Sequence, residues 1–209
     1  MSIVAVLNTK GGVGKTTTAL NLAVGRALQG RNVLAVDADR QGSLLAALSN
    51  RGEREPCIAV AQYVEGQALR QQVLRAAALY DDIVIDAGGR DNTALRAALL
   101  LADKVIIPFL PRSFDIWSLD DMSALLVEAR AIKHVDAYAL LTMSDARGTD
   151  NEAAGQAVPD DMQLLPTTVG RRKAFADAGG AGLSVLELPA HRDSKAMAET
   201  QALLAAIFN

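Results

Sequence analysis

Apolar positions along the chain follow two patterns. Short uninterrupted runs, rich in β-branched residues, occupy Ile3–Leu7, Asn32–Val36, Ile83–Ile85, Val105–Phe109, Tyr138–Thr142 and Leu183–Leu186. Between them apolar residues recur at helical spacing, first at Ala19, Leu20, Leu22, Ala23, Ala27 and Leu28. Later helical stretches are Ala68–Leu79, Thr93–Leu101, Ile116–Ala131 and Ser194–Phe208. Apolar runs without alternation are the mark of strands buried on both faces, and the helical stretches are what covers them. Strand, glycine-rich turn, helix and strand follow one another within about 35 residues, a βαβ unit whose two strands run parallel. Gly30 closes the first helix. The pattern predicts an α/β fold: one doubly wound, mainly parallel sheet with helices on both faces. The polar, glycine-bearing segments Ser49–Pro56 and Asp145–Asp161 are expected to be exposed loops. With no repeat, low-complexity tract or linker in view, residues 1–209 are expected to form a single domain.

Composition narrows the function by exclusion. A lone cysteine, Cys57, excludes a disulfide within the chain and a four-cysteine metal site, and suits a reducing compartment. The apolar start, Ile3 to Leu7, is too short for a secretory signal and lacks its basic flank. Ala97–Ala102, the longest apolar stretch elsewhere, ends at Asp103, too short to span a bilayer. The expected location is cytoplasmic. A net charge of −3 gives no bulk attraction to nucleic acid, so any DNA contact needs a local basic cluster. The densest is Arg171-Arg172-Lys173, with Arg192 and Lys195 nearby. It reads equally as a solvated helix face, since three adjacent cations cannot all point one way.

The candidate chemistry lies at the end of the first strand. Thr9-Lys10-Gly11-Gly12-Val13-Gly14-Lys15-Thr16 departs from the phosphate-loop pattern G-x-x-x-x-G-K-[ST] only in its first residue, a Thr. Glycines let the backbone curl until its N–H groups face phosphate oxygens, and the following helix adds its positive end. Lys15 supplies a full charge for the β- and γ-phosphates, and the Thr16 hydroxyl suits Mg²⁺. Asp86 ends the strand Ile83–Ile85 and is a second candidate Mg²⁺ ligand, directly or through water. Asp37-Ala38-Asp39-Arg40-Gln41 ends the second strand, where ligands of parallel sheets bind. Asp37 reads as a structural anchor for that loop. Gly88 and Gly89 suit either a switch approaching phosphate or a plain turn.

The run Lys10-Gly11-Gly12-Val13-Gly14-Lys15-Thr16-Thr17, with its additional lysine at Lys10, resembles the deviant Walker A ATPases, the ParA/MinD group. The likeness extends through Ala102–Pro111 to Arg171–Leu188 and Ser194–Ala196, and the length matches the small ParA proteins without an N-terminal helix-turn-helix. It implies a P-loop fold that binds ATP or ADP with Mg²⁺ and hydrolyses ATP within a nucleotide-sandwich homodimer. In that arrangement Lys10 reaches the partner's ATP, Asp39 positions the attacking water, and Pro189 or a neighbour packs near the base. The small ParA proteins coat nonspecific DNA, respond to a centromere-binding adaptor protein and drive plasmid or chromosome partition, which implies a nucleoid-associated protein with no membrane contact. Two residues depart from the family's pattern: Arg40 stands where a proline follows the second aspartate, and Ala87-Gly88-Gly89 lacks the proline that follows the metal carboxylate. Related machinery also positions protein cargo such as carboxysomes. A membrane switch of the MinD type needs a basic amphipathic C-terminal helix, and Ser194–Asn209 carries no cation after Lys195. Its apolar residues Met197, Leu203, Leu204, Ile207 and Phe208 read instead as a core-covering face.

Overall fold

The computed structural model describes residues 1–89, 92–111, 113–144, 150–189 and 191–209, the side chains of 113–117 and 150 excepted. The elements run β1 (Ser2–Asn8), α1 (Lys15–Leu28), β2 (Val33–Asp37), α2 (Ser43–Asn50), β3 (Ala59–Gln62), α3 (Gly66–Ala76), β4 (Asp82–Gly88) and α4 (Thr93–Leu101). They continue with β5 (Lys104–Phe109), α5 (Ser113–Arg130), β6 (Asp136–Ser144), α6 (Asp150–Gln156), β7 (Gln163–Leu164), β8 (Val169–Gly170) and α7 (Lys173–Gly180). A 3₁₀ turn, Val185–Glu187, precedes α8 (Ser194–Phe208).

The sheet has the order β3-β2-β4-β1-β5-β6-β7, with β8 also paired to β6. Every pairing is parallel. Alternate residues of β1 sort into two cores. Ile3, Ala5 and Leu7 pack beneath α3, α4 and α5, whereas Val4 and Val6 pack beneath α1, α7 and α8. Both faces are covered, so strands such as Ile83-Val84-Ile85 bury every side chain and need no polar alternation. α8 buries Ala196, Thr200, Leu203, Leu204 and Ile207 against α1, the role expected of it.

Three local readings change. Leu183–Leu186 is not a strand. Ser184 accepts from the Leu186 N–H and Glu187 accepts from the Ser184 N–H, a capping box that winds the segment into the 3₁₀ turn. Ser49–Pro56 begins inside α2, and α6 with β7 and β8 adds structure in and after Asp145–Asp161, of which Asp145–Thr149 lie outside the described residues.

Candidate functional site

The β1–α1 loop is pinned before it turns. Asn8, fully buried, accepts from the Lys10 N–H at 2.8 Å and donates to the Pro108 carbonyl at 2.8 Å and the Ser118 hydroxyl at 3.2 Å. The loop's far side rests on Thr142, whose hydroxyl lies 2.8 Å from the Val13 carbonyl and 3.0 Å from that of Phe109. Gly14 caps α1 with φ of 89°, in the left-handed region where a glycine costs least. No side chain caps that end and no acid lies in the first turn, so the helix's partial positive charge is uncompensated by its own residues. Beside it, a Cβ placed on Gly11 or Gly12 would meet nothing within 4 Å. The loop therefore surrounds open space.

Lys15 is buried, and its ammonium donates to the Lys10 carbonyl at 2.7 Å. Its stem crosses Gly88 so closely that a Cβ there would stand 1.8 Å from Cε, so any side chain at Gly88 would have to displace the end of Lys15. Gly89 has φ of 86° and turns the chain after β4. Burial pulls the Lys15 pKa down, and the charges of Asp86 and Asp39 pull it back up. The Thr16 hydroxyl donates to Asp86 Oδ2 at 2.6 Å, joining residues 70 positions apart. Burial pushes the Asp86 carboxyl up to about 7, with the Thr16 bond and Lys15 opposing and the Asp37 and Asp39 charges assisting. Two adjacent oxygens, one on a carboxylate that burial holds near neutrality, are a donor set that a hard divalent cation fits.

The acids of β2 divide in role. Asp37 is fully buried and stands in register with Asp86. It accepts from the Asp39 N–H at 3.0 Å and the Leu45 N–H at 2.9 Å, so it caps α2, whose own N-cap is Gly42. Burial raises its pKa, against those bonds. Asp39 Oδ1 accepts from the Gln41 N–H at 3.0 Å, and the Gly42 N–H returns to the Asp39 carbonyl at 3.2 Å. The turn is thus closed by its own hydrogen bonds. Asp39 Oδ2 lies 3.5 Å from where a Gly89 Cβ would be, so it faces the turn after β4.

Lys10, Gly11, Gly12, Val13, Gly14, Lys15, Thr16, Thr17, Asp39 and Asp86 are thus gathered at the carboxyl ends of β1, β2 and β4. Pro189 is exposed, and it is not among the described residues that line the two cavities below. One cavity, about 180 Å³, lies beyond Gly14 and Thr18, walled by Thr142, Met143, Arg171 and Phe175. The other, about 560 Å³, lies beyond Gly11, walled by Asp39, Arg40, Glu65, Gly88 and Gly89. The basic triplet divides as well. Arg172 turns onto α8, with Nε 3.1 Å from Glu199 Oε2 and a guanidinium nitrogen 3.9 Å from Asp193, while Arg171 and Lys173 are exposed. Sequence reading missed Thr142 and Asn8. Asn8 left one signal, a polar residue at the end of an apolar strand.

Comparison with known proteins agrees with this geometry. The sequence model of the CobQ/CobB/MinD/ParA nucleotide binding domain, CbiA, matches residues 4–186. The maintenance of carboxysome distribution protein A of Gloeobacter kilaueensis is 35% identical over 193 residues, covering 88% of this chain and 84% of the relative. The chromosome-partitioning ATPase Soj of Thermus thermophilus is 32% identical over 157 residues, covering 61% of this chain and 62% of the relative. Among solved structures, the septum site-determining protein MinD of Pyrococcus horikoshii, complexed with Mg-ADP, superposes with a TM-score of 0.78 at 21% identity, covering 100% of this chain and 96% of that one.

Proposed function

Because the chain belongs to the CobQ/CobB/MinD/ParA nucleotide-binding family, we propose that it is a Mg²⁺-dependent ATPase whose ATP-bound homodimer positions a cargo. The observation that carries this reading is the convergence of Lys15, Thr16 and Asp86 at the uncapped start of α1, beside the open space over Gly11 and Gly12. The loop N–H groups and the Lys15 ammonium hold the β- and γ-phosphates of ATP or ADP. Thr16 and Asp86 hold Mg²⁺, which when bound neutralises phosphate charge. Asp39, fixed by its turn against Gly89, orients the attacking water. The base occupies the cavity beyond Gly14, against Met143 and Phe175. All of these groups are preorganised by the sheet, so hydrolysis proceeds by positioning and charge stabilisation.

Lys10 has its N–H on Asn8 and its carbonyl on Lys15, so the backbone at the loop's outer end is fixed from both sides. The resemblance to the two-lysine loop assigns its side chain to the nucleotide of a second copy. Lys10→Ala is expected to keep ADP binding while losing the dimer that forms with a nonhydrolysable ATP analogue. Gel filtration with each nucleotide checks it, and a variant that still dimerises fully removes Lys10 from the partner's site.

A protein cargo is favoured over a replicon, because a relative matched along 84% of its length is a carboxysome-distribution protein, whereas a chromosome-partitioning relative is matched along 62%. An adaptor protein on the cargo would stimulate turnover. No helix among the described residues is long and apolar enough to cross a membrane, and α8 packs its apolar face on the core. Nonspecific DNA is the proposed track. With Arg172 tied to Glu199, the exposed cations of the triplet are Arg171 and Lys173. Replacing both with alanine is expected to flatten the plot of log affinity against log salt by about 2 for each site they form. An unchanged slope in a filter-binding titration places the DNA surface elsewhere.

A further inference from the structure

We propose that Arg40 is a triphosphate-sensing cation, supplied from the loop between β2 and α2, which leaves Glu65 for the terminal phosphate when ATP replaces ADP. The inference rests on the nucleotide reading above and concerns a residue that stands where the family's proline does.

Two cavities among the described residues flank the loop and give the nucleotide a direction. The smaller one adjoins Gly14 and Thr18 and is walled partly by Phe175 and Met143, so it takes the apolar base end. The larger adjoins Gly11 and Gly88. Lys15 Nζ lies between these two glycines, bound to the Lys10 carbonyl on one side and 2.6 Å from where a Gly88 Cβ would be on the other. A phosphate chain that begins at Gly14 and passes Lys15 therefore ends facing the larger cavity.

That cavity is poorly suited to an anion without help. Asp39 and Glu65 both line it, and Arg40 is the one cation among its described lining residues. A terminal phosphate held from behind by Lys15 would meet two carboxylates on this side, and the guanidinium is the cation on the cavity's own wall that can offset them. Arg40 is able to move. Its bond to Glu65 is a single contact of 3.1 Å between side chains 79% and 63% exposed, an arrangement that contributes little to stability. A guanidinium meets phosphate through two parallel N–H bonds, which are stronger and more selective than one exposed contact to a carboxylate. Glu65 tolerates the exchange, because it stands at the N-cap of α3, where negative charge is favoured. The backbone need not follow: the Asp39–Gly42 turn is closed by its own hydrogen bonds and holds Arg40 at its tip. ADP lacks the phosphate in question and leaves the Arg40–Glu65 pair as it is.

Calorimetric titration with the Mg²⁺ complexes of ADP and of a nonhydrolysable ATP analogue tests the proposal on wild type, Arg40→Ala, Arg40→Lys and Glu65→Gln, over a range of protein concentrations. Arg40→Ala is expected to weaken the analogue by about tenfold or more, the order of one charge-assisted contact, with ADP unchanged. Glu65→Gln is expected to favour the analogue over ADP more than wild type does, and Arg40→Lys to recover part of the loss. A structural role alone would shift both nucleotides together. Equal effects on the two nucleotides, or none, overturn the proposal. So does a loss that appears only at concentrations where the chain dimerises, which would assign Arg40 to the second copy. A wild-type chain that titrates with neither nucleotide defeats the nucleotide reading itself, a result distinct from all of these.

Discussion

Lys15→Ala is expected to abolish measurable binding of both ATP and ADP. The ammonium is the charge that the loop itself holds at the start of α1, against the Lys10 carbonyl and beside Gly88. It is also already desolvated, being only 8% exposed, so it meets phosphate without first losing a shell of water. Losing such a buried charged contact costs about 3–5 kcal/mol, two to four decades of affinity. The fold should survive, since no core side chain depends on the ammonium and Asp86 is able to hold a proton near neutral pH once Lys15 no longer opposes it. Calorimetric titration together with thermal unfolding separates the two effects. An unchanged affinity would remove the loop from the nucleotide site, and a large fall in melting temperature would make Lys15 a structural residue.

Arg51→Ala is expected to destabilise the fold by about 3–5 kcal/mol without touching the nucleotide contacts. Arg51, on the C-terminal end of α2, meets Glu187 through two bonds of 2.8 and 2.9 Å, with side-chain exposures of 2% and 5%. It also donates to the Pro56 carbonyl at 3.2 Å. Truncation would leave the Glu187 carboxylate buried with only the Ser184 N–H and the exposed Arg54 for partners. The pair is linked to α1, because Ser184 donates to Asn21 Oδ1 at 2.8 Å. Acid sensitivity gives an independent reading. Burial alone would raise the Glu187 pKa, but the bonds from Arg51 and Ser184 and the charge of Arg54 bring it below its ordinary value of 4.5. A depressed carboxyl contributes stability that is complete above its unfolded value and is lost as pH falls through the folded one. Wild type should therefore lose stability below about pH 4.5 in urea titrations, and Arg51→Ala should lack that acid step. A variant with the wild-type urea midpoint would show that the pair contributes nothing.

What the sequence disclosed was local, and what it concealed was long-range. The phosphate loop could be read because seven of its residues act within one turn, and Asp86 because it ends an apolar strand. α2 escaped notice for a physical reason: its cap is supplied by Asp37 from the preceding strand, so the helix start carries only Gly42. β3 is an edge strand of half-exposed Ala59–Gln62 with no apolar run to announce it. Leu183–Leu186 looks like a strand by hydropathy alone, and only the Ser184–Glu187 box, itself bound to Arg51 136 positions away, makes it a turn. In the site, Gly88 looked like either a switch or a plain turn. What the structure adds is the stem of Lys15 lying across it, a contact no spacing rule contains.

The strand order also bears on how the molecule is made. β4 follows β2 in the chain yet lies between β2 and β1, and it delivers Asp86 and Gly88 to the loop that β1 carries. During synthesis the phosphate loop emerges early, with its glycines and both lysines, but the Thr16–Asp86 contact and the floor under Lys15 await residues 82–88. Insertion of a central parallel strand is a non-local step, slow compared with winding α1. A nascent chain therefore displays its most recognisable motif well before it has a site. Nucleotide stabilises only molecules in which β4 is already in place, so it acts after that step as a ligand of the finished sheet and not as a template for it.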